Sequence, residues 1–165
     1  DVEGDDMVYY AGKELISKED TEVTIISSDT DYIQVLSELP NVKLWTPVKQ
    51  HYREATDYDY VSWKSMVGDS SDNIKGVKGI GKVRAERILK SGSLNQNLLD
   101  KDFNSQFNHA YSLIKLRSDL ECQKDTEVLD ENLGKEELRD YMRSLGFNSF
   151  VGESWNEVSR ELGYK

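Results

Sequence analysis

The sequence has a single cysteine, two histidines and no long apolar run in its 165 residues. A lone Cys122 excludes a disulfide framework and any CxxC zinc site; it fits a reducing, cytoplasmic compartment and is expected as a small core residue. His51 and His109 are far apart, with no HxH or HExxH pattern, so they read as surface or packing residues rather than zinc ligands. No stretch approaches the roughly 18 apolar residues of a membrane span. The opening residues show no charged-then-apolar leader pattern, and a chain that starts at Asp1 inside the acidic run DVEGDD is expected to be a fragment or a processed piece. Positive charge is also scarce: 21 Lys and Arg against 31 Asp and Glu leave a net charge of −10, which disfavours diffuse binding to nucleic acid. No internal repeat or low-complexity tract is present.

What remains is an ordinary globular composition, 37% hydrophobic and 32% charged, at a length that suits one compact domain. Its charge is unevenly distributed. Lys75, Lys78, Lys82, Arg84, Arg87 and Lys90 face only Glu86 within one short stretch, so residues 75–90 carry +5 and the rest −15. A local patch of this kind can bind phosphate even in an acidic chain.

Val8, Ala11 and Leu15 recur at i, i+3, i+7 and predict a helix from Glu3 to about Ile16 with one buried stripe. VTIISS (Val23 to Ser28) is a β-branched run of the sort that forms a buried strand. DTDYIQVLSEL follows as a helix with Ile33, Leu36 and Leu39 inward, and VKLW (Val42 to Trp45) as a second strand ended by Pro47. Helix, strand, helix, strand is the order of an α/β sheet with crossover connections. Past residue 56 the strand pattern disappears and helices are expected at Tyr60 to Val67, Lys82 to Lys90, Ser105 to about Leu116, Lys135 to Leu145 and Trp155 to Leu162. Gly92, Gly134 and Gly146 punctuate them, and SLNQNLLDKDFNS reads as a polar connector.

Three acidic clusters carry the chemistry. Glu3, Asp5 and Asp6 open the first helix, where the helix dipole alone favours acids by about 0.3–1 kcal/mol each. Asp29 and Asp31 follow the VTIISS strand; one of them could simply cap the next helix, but the carboxyl end of an α/β strand is also where ligands bind. Asp69 and Asp72 lie in GDSSDN, a composition that turn chemistry explains by itself. Taken together, seven carboxylates in one strand-end cleft would repel unless a cation sat among them. Hard divalent ions, Mg²⁺ or Mn²⁺, take such oxygen ligands together with waters and substrate phosphate oxygens. Two such ions about 3.5–4 Å apart suit phosphodiester hydrolysis.

Beside the last cluster lies IKGVKGIGKVRAERILK, which has the form of a helix-hairpin-helix. Ile74 and Val77 anchor one side, Gly79, Ile80 and Gly81 turn, and Val83, Ile88 and Leu89 are the expected buried positions of the next helix. Glycines let a backbone approach closely, and amides at a helix start point at anions. Lys75, Gly76, Lys78, Gly79, Gly81, Lys82 and Arg84 form the candidate DNA contact, which would position duplex without reading bases.

With DVEGDD, ISSDTDY and GDSSDNIKGVKGIG in this order, the chain resembles the flap endonuclease and 5′–3′ exonuclease family, of the phage ribonuclease H and 5′-nuclease type, over residues 1 to about 92. The resemblance implies an α/β fold: the carboxy-terminal half of a central-sheet nuclease core over 1–56, a helix-hairpin-helix (helix-three-turn-helix) over 57–95, and a carboxy-terminal helical region over 96–165. It implies a structure-specific 5′ nuclease acting by two Mg²⁺ or Mn²⁺ ions on DNA or RNA–DNA 5′ strands, with Glu3, Asp5, Asp6, Asp29, Asp31, Asp69 and Asp72 as ligands. It further implies a monovalent cation, K⁺, on the hairpin carbonyls of Val77 and Ile80. The implied partners are branched or nicked duplex DNA with a 5′ end or flap, replication proteins and, since the family has a preceding segment with two further aspartates and a first strand, that amino-terminal segment. Without it the chain alone is expected to be inactive. Two rivals stand beside this reading: a haloacid-dehalogenase-type phosphatase, which DxD followed by GDxxD resembles but whose usual residues Tyr32 and Ile33 replace, and a non-catalytic DNA-structure-binding module whose acids are solvated caps. An EF-hand fails, because DTDYIQ lacks the further ligands and glycine.

Overall fold

The computed structural model describes residues 3–17, 21–117 and 134–164. Asp1 and Cys122 lie outside them.

Helix α1 (Gly4–Ile16) leads into strand β1 (Val23–Ile26), helix α2 (Ile33–Glu38) and strand β2 (Val42–Thr46). β1 and β2 pair in parallel, Val23 opposite Val42 and Ile26 opposite Trp45, with α2 as the crossover. A third strand, β3 (His51–Arg53), turns back antiparallel on β2, Thr46 opposite His51, through a turn whose Gln50 adopts φ 53°. The sheet order is β1-β2-β3, so β1 is an edge among the described residues. The mixed α/β architecture agrees with the sequence pattern; β3 does not appear in it, because three residues after a turn without glycine leave no periodicity to detect.

The core of this layer joins Tyr9, Ile25, Tyr32, Ile33, Val35, Leu39, Val42, Leu44, Tyr60 and Leu116, with Leu36 partly buried against them. Two expectations need correction. α1 buries Asp6, Tyr9 and Gly12, whereas Val8 and Leu15 are 38% and 42% exposed. Those two, with Ala11, line an open groove of about 360 Å³ along Val23 to Ser27. Their stripe therefore faces the free edge of β1 rather than the core. For the same reason β1 is only half buried, with Ile25 alone fully inside.

Helix α3 (Tyr60–Val67) starts at Asp59, whose carboxylate accepts from the Ser62 amide at 3.2 Å and the Ser62 hydroxyl at 2.6 Å. It runs into a two-residue antiparallel ladder, β4 (Gly68–Asp69) with β5 (Ile74–Lys75), and then into helix α4 (Lys82–Lys90). Met66, Val77, Ile80, Ala85, Ile88, Phe103 and Phe107 form a second core. On α4 the inward positions are Ala85 and Ile88, with Leu89 partly buried; Val83, expected inside, is 71% exposed. The buried face of α4 thus runs through Ala85 and Ile88, at i, i+3, and leaves the valine outside.

A short helix α5 (Leu94–Asn97) and helix α6 (Lys101–Ile114) occupy the expected polar connector and the segment after it. α6 starts four residues ahead of the expected Ser105 because Asp100 accepts from the amides of Asp102 and Phe103, at 3.0 and 2.9 Å. Phe103, Phe107, Ala110 and Ile114 are its buried face. Helices α7 (Lys135–Ser144) and α8 (Trp155–Glu161) enclose Val151, Trp155 and Val158 and pack this small cluster on Ile26. Among the described residues no helix is long and apolar enough to cross a membrane. His51 and His109 are both exposed.

Candidate metal centre and phosphate-binding loop

The carboxyl end of β1 builds the first wall of the site. Past Ile26 the chain turns tightly: the Ser27 hydroxyl oxygen accepts from the Asp29 amide at 3.0 Å, and Asp29 Oδ1 accepts from the Asp31 amide at 2.9 Å. These local bonds are the turn chemistry that short polar side chains favour, and they set Asp31 at the mouth of α2. Gln34 then fixes that mouth from inside. Its Nε2 donates to the carbonyls of Asp31 and Ile114, at 2.9 and 3.1 Å, while its Oε1 accepts from the Leu116 amide at 3.0 Å.

The second wall is β4. Asp69 accepts at 2.8 Å from the Ser71 amide and also from its hydroxyl. Asp31, Asp69 and Asp72 each present an oxygen, and these oxygens lie within 4.8 Å of one another. The strand-end pair and the GDSSDN pair thus converge through Asp31, 38 residues ahead of Asp69 in the sequence.

Between the walls stands a residue the sequence pattern did not single out. Lys64, on α3, places its ammonium against both Asp31 and Asp69, with its side chain 5% exposed. Tyr60, Trp63, Lys64 and Val67 make an i, i+3, i+4, i+7 stripe; a lysine at an inward position of that stripe was the available signal. Burial works against its charge, but bonds to Asp31 and Asp69 outweigh burial and raise its pKa above the ordinary value. Asp69 lies below its usual range: burial would raise it, but the bonds from Lys64 and Ser71 prevail. Burial, seconded by the neighbouring charges of Asp29 and Asp69, pushes Asp31 upward against the pull of Lys64. One ammonium against three carboxylates leaves the centre negative, with Asp29 adding to the field.

The first acidic cluster divides. Asp5 Oδ1 accepts from the Tyr32 hydroxyl at 3.1 Å, and burial together with Asp5 raises the Tyr32 pKa. Asp6, 7% exposed, accepts from the Arg117 amide at 2.8 Å. Glu3 occupies the N-cap position of α1 without a side-chain cap bond and is exposed. Glu3, Asp5, Asp6 and Asp29 lie outside the group formed by Asp31, Asp69 and Asp72.

The basic loop is joined to the centre by the β4–β5 ladder, in which Asp69 lies opposite Ile74 and Gly68 opposite Lys75. This ladder is tight because Gly68 and Gly76 touch. A Cβ on Gly76 would lie 2.4 Å from the Met66 carbonyl oxygen and 2.5 Å from the Gly68 nitrogen. Gly76 is thus half-buried, and its part in the loop is close packing. Beyond it the Val77 amide donates to Met66 O at 2.9 Å, the Ile80 amide to Val77 O at 3.0 Å and the Lys78 amide to the side chain of Gln106 at 2.8 Å. Val77 and Ile80 are buried; Lys75, Lys78, Gly79, Gly81, Lys82 and Arg84 are exposed. Among the described residues no carboxylate pairs with these four cations.

An all-oxygen donor set of this charge suits a hard divalent ion. That a buried ammonium already sits between Asp31 and Asp69 shows that the pair accommodates a cation. The acidic centre lies at the end of a parallel strand of an α/β fold, where ligands bind in such sheets, one short ladder from an exposed basic glycine loop. Known proteins share this arrangement in sequence and fold. The chain is 30% identical over 174 residues to "DNA polymerase I, thermostable" of Thermus filiformis, covering 92% of this chain and 20% of that one. To a "5′-3′ exonuclease" of Aquifex aeolicus it is 30% identical over 173 residues, covering 92% of this chain and 58% of that one. A solved T5 5′-exonuclease with divalent zinc bound shares its fold with a TM-score of 0.51 and 27% identity, over 68% of this chain and 47% of that one. No family model matches. The chain's homologues are thus 5′–3′ exonucleases and DNA polymerase I, and it spans between a fifth and three-fifths of the length of these relatives.

Proposed function

We propose that the chain is part of a structure-specific 5′ nuclease, a 5′–3′ exonuclease or flap endonuclease that hydrolyses phosphodiesters in the 5′ strand of DNA or of RNA–DNA. The observation that carries this reading is the convergence of Asp31, Asp69 and Asp72 one ladder away from an exposed basic loop. Asp31, Asp69 and Asp72 would hold divalent ions, Mg²⁺ or Mn²⁺, two to a site. Glu3, Asp5, Asp6 and Asp29 complete the acidic set, with one Asp6 oxygen shared with the backbone at Arg117. Ions held there would supply a water nucleophile at neutral pH and would neutralise charge on the leaving oxygen.

The chain's own part is placement. In this proposal residues 57–95 act as a helix-hairpin-helix: Lys75, Lys78, Lys82 and Arg84 neutralise phosphates of the duplex, and the backbone around Gly79 and Gly81 approaches them closely. A K⁺ held by the carbonyls of Val77 and Ile80 would add to that grip. The β4–β5 ladder fixes the distance from grip to cut. Residues 1–56 form half of the nuclease core and 96–165 a helical region that supports it. The setting is phage-type or bacterial nucleic-acid metabolism in the cytoplasm, on flapped, branched or nicked duplex and beside replication proteins.

The test is release of the labelled 5′ end from a flap duplex by the intact protein. Cleavage with Mg²⁺ or Mn²⁺, abolished by chelation and by Asp69→Ala with Asp72→Ala, is expected. Cleavage that survives chelation would refute the metal reading.

A further inference from the structure

Lys64 is buried on a helix whose other buried positions include Tyr60, Val61 and Met66. A buried ammonium is costly unless paired, and removing one partner of a buried pair leaves the other charge uncompensated. Its charge answers a local problem. Asp31 and Asp69 come from different elements and would repel across the centre, with Asp72 and Asp29 adding to that repulsion. Lys64 touches both of the first two.

Resting on the metal reading above, we propose that Lys64 is a positioning residue: its ammonium holds Asp31 and Asp69 at their metal-binding spacing, and gives way when a divalent ion takes up their oxygens. A divalent ion and the ammonium compete for those oxygens, because each lowers the other's gain from the shared carboxylates by repulsion at contact distance. The arm that must move is a flexible four-carbon stem anchored on α3, so release needs no backbone change. Coupling of this kind is reciprocal. Whatever the metal loses by dislodging Lys64, Lys64 imposes on metal affinity. The lysine thus keeps the metal-free centre closed at the expense of tight metal binding.

The experiment compares Lys64→Met, which keeps the stem and removes the charge, with Lys64→Arg, which keeps the charge, in the intact protein. Melting in chelator and calorimetric titration with Mn²⁺ alone are the readouts. Lys64→Met should melt below wild type without metal, bind Mn²⁺ more tightly by about tenfold or more, and gain more in melting temperature on Mn²⁺ addition. Lys64→Arg should restore metal-free melting and bind Mn²⁺ no more tightly than wild type. Should Lys64→Met fail to fold in chelator, Mn²⁺ should refold it, the ion replacing the lost cation; failure to rescue overturns the proposal. Equal or weaker Mn²⁺ binding by a folded Lys64→Met also overturns it while leaving the metal centre standing. Absence of Mn²⁺ binding from wild type and variant alike would remove both.

Discussion

Gly76 and Gly81 lie in one loop, and the same substitution at each should have opposite effects. A methyl on Gly76 would sit 2.4 Å from both the Met66 carbonyl oxygen and the Val67 carbonyl carbon, and 2.5 Å from the Gly68 nitrogen. All three are backbone atoms of the α3–β4 junction, so no side chain can rotate aside. Overpacking costs about 1–3 kcal/mol, and a backbone obstacle places Gly76→Ala at the upper end. The unfolded chain returns about 0.4–1 kcal/mol through its reduced freedom. A net loss of roughly 2 kcal/mol follows from the two. At Gly81 nothing lies within 4 Å of the added methyl, and the backbone, φ −98° and ψ 176°, is extended. Gly81→Ala should therefore leave stability unchanged or raise it by up to about 1 kcal/mol. Urea denaturation of the intact protein, with equal slopes in both variants, is the assay. A Gly76→Ala midpoint equal to that of Gly81→Ala would show that Gly68 and Gly76 do not touch, and would remove the ladder as the link between acid centre and basic loop.

Two further outcomes arise from the charges. Lys78→Ala with Lys82→Ala should weaken duplex binding and make the log–log salt dependence shallower by roughly 0.9 per lost phosphate contact, and an unchanged slope would remove the loop as the duplex grip. The pH dependence of metal-free stability has a definite sign at Asp69. Its folded pKa lies below 3.8, so its contribution is present above 3.8 and is lost as pH falls through the folded value. In chelator, wild type should therefore exceed Asp69→Asn in stability at neutral pH and lose that advantage below 3.8. An advantage that persists in strong acid would contradict the Lys64–Asp69 pairing.

Periodic features were readable from sequence, and features set by distant partners were not. Ile33 and Leu39 are buried where the pattern of α2 put them, and VKLW became β2 in parallel with β1. Val8 and Leu15 obey the same periodicity yet face an open groove, because periodicity finds an apolar stripe without saying what covers it. β3 and β4 are too short to show alternation, and β4 exists because Gly68 and Gly76 can meet. In the acid centre, the residue types and the closeness of Asp69 to the basic loop were visible along the chain. For Lys64 only its inward place on the α3 stripe was visible; its role appears when Asp31 and Asp69, from separate elements, both reach it. Nor does composition distinguish Asp6 from Asp5, although one accepts from a backbone amide 111 residues away and the other from Tyr32.

The bonds at residues 114–117 have a kinetic meaning. Gln34 reaches Ile114 and Leu116, and Asp6 reaches Arg117, across 80, 82 and 111 residues of chain. Within the sheet itself β1, α2 and β2 are consecutive and close over short distances. Closing so long a loop has an entropy cost that nearby contacts do not bear, so these bonds form after the sheet and its crossover helix are in place. Interactions that form late contribute little to how fast a chain folds and much to how slowly it unfolds. Three polar bonds at the end of α6 are thus a clasp, and the lifetime of the acid centre is set at residues that no phosphate touches.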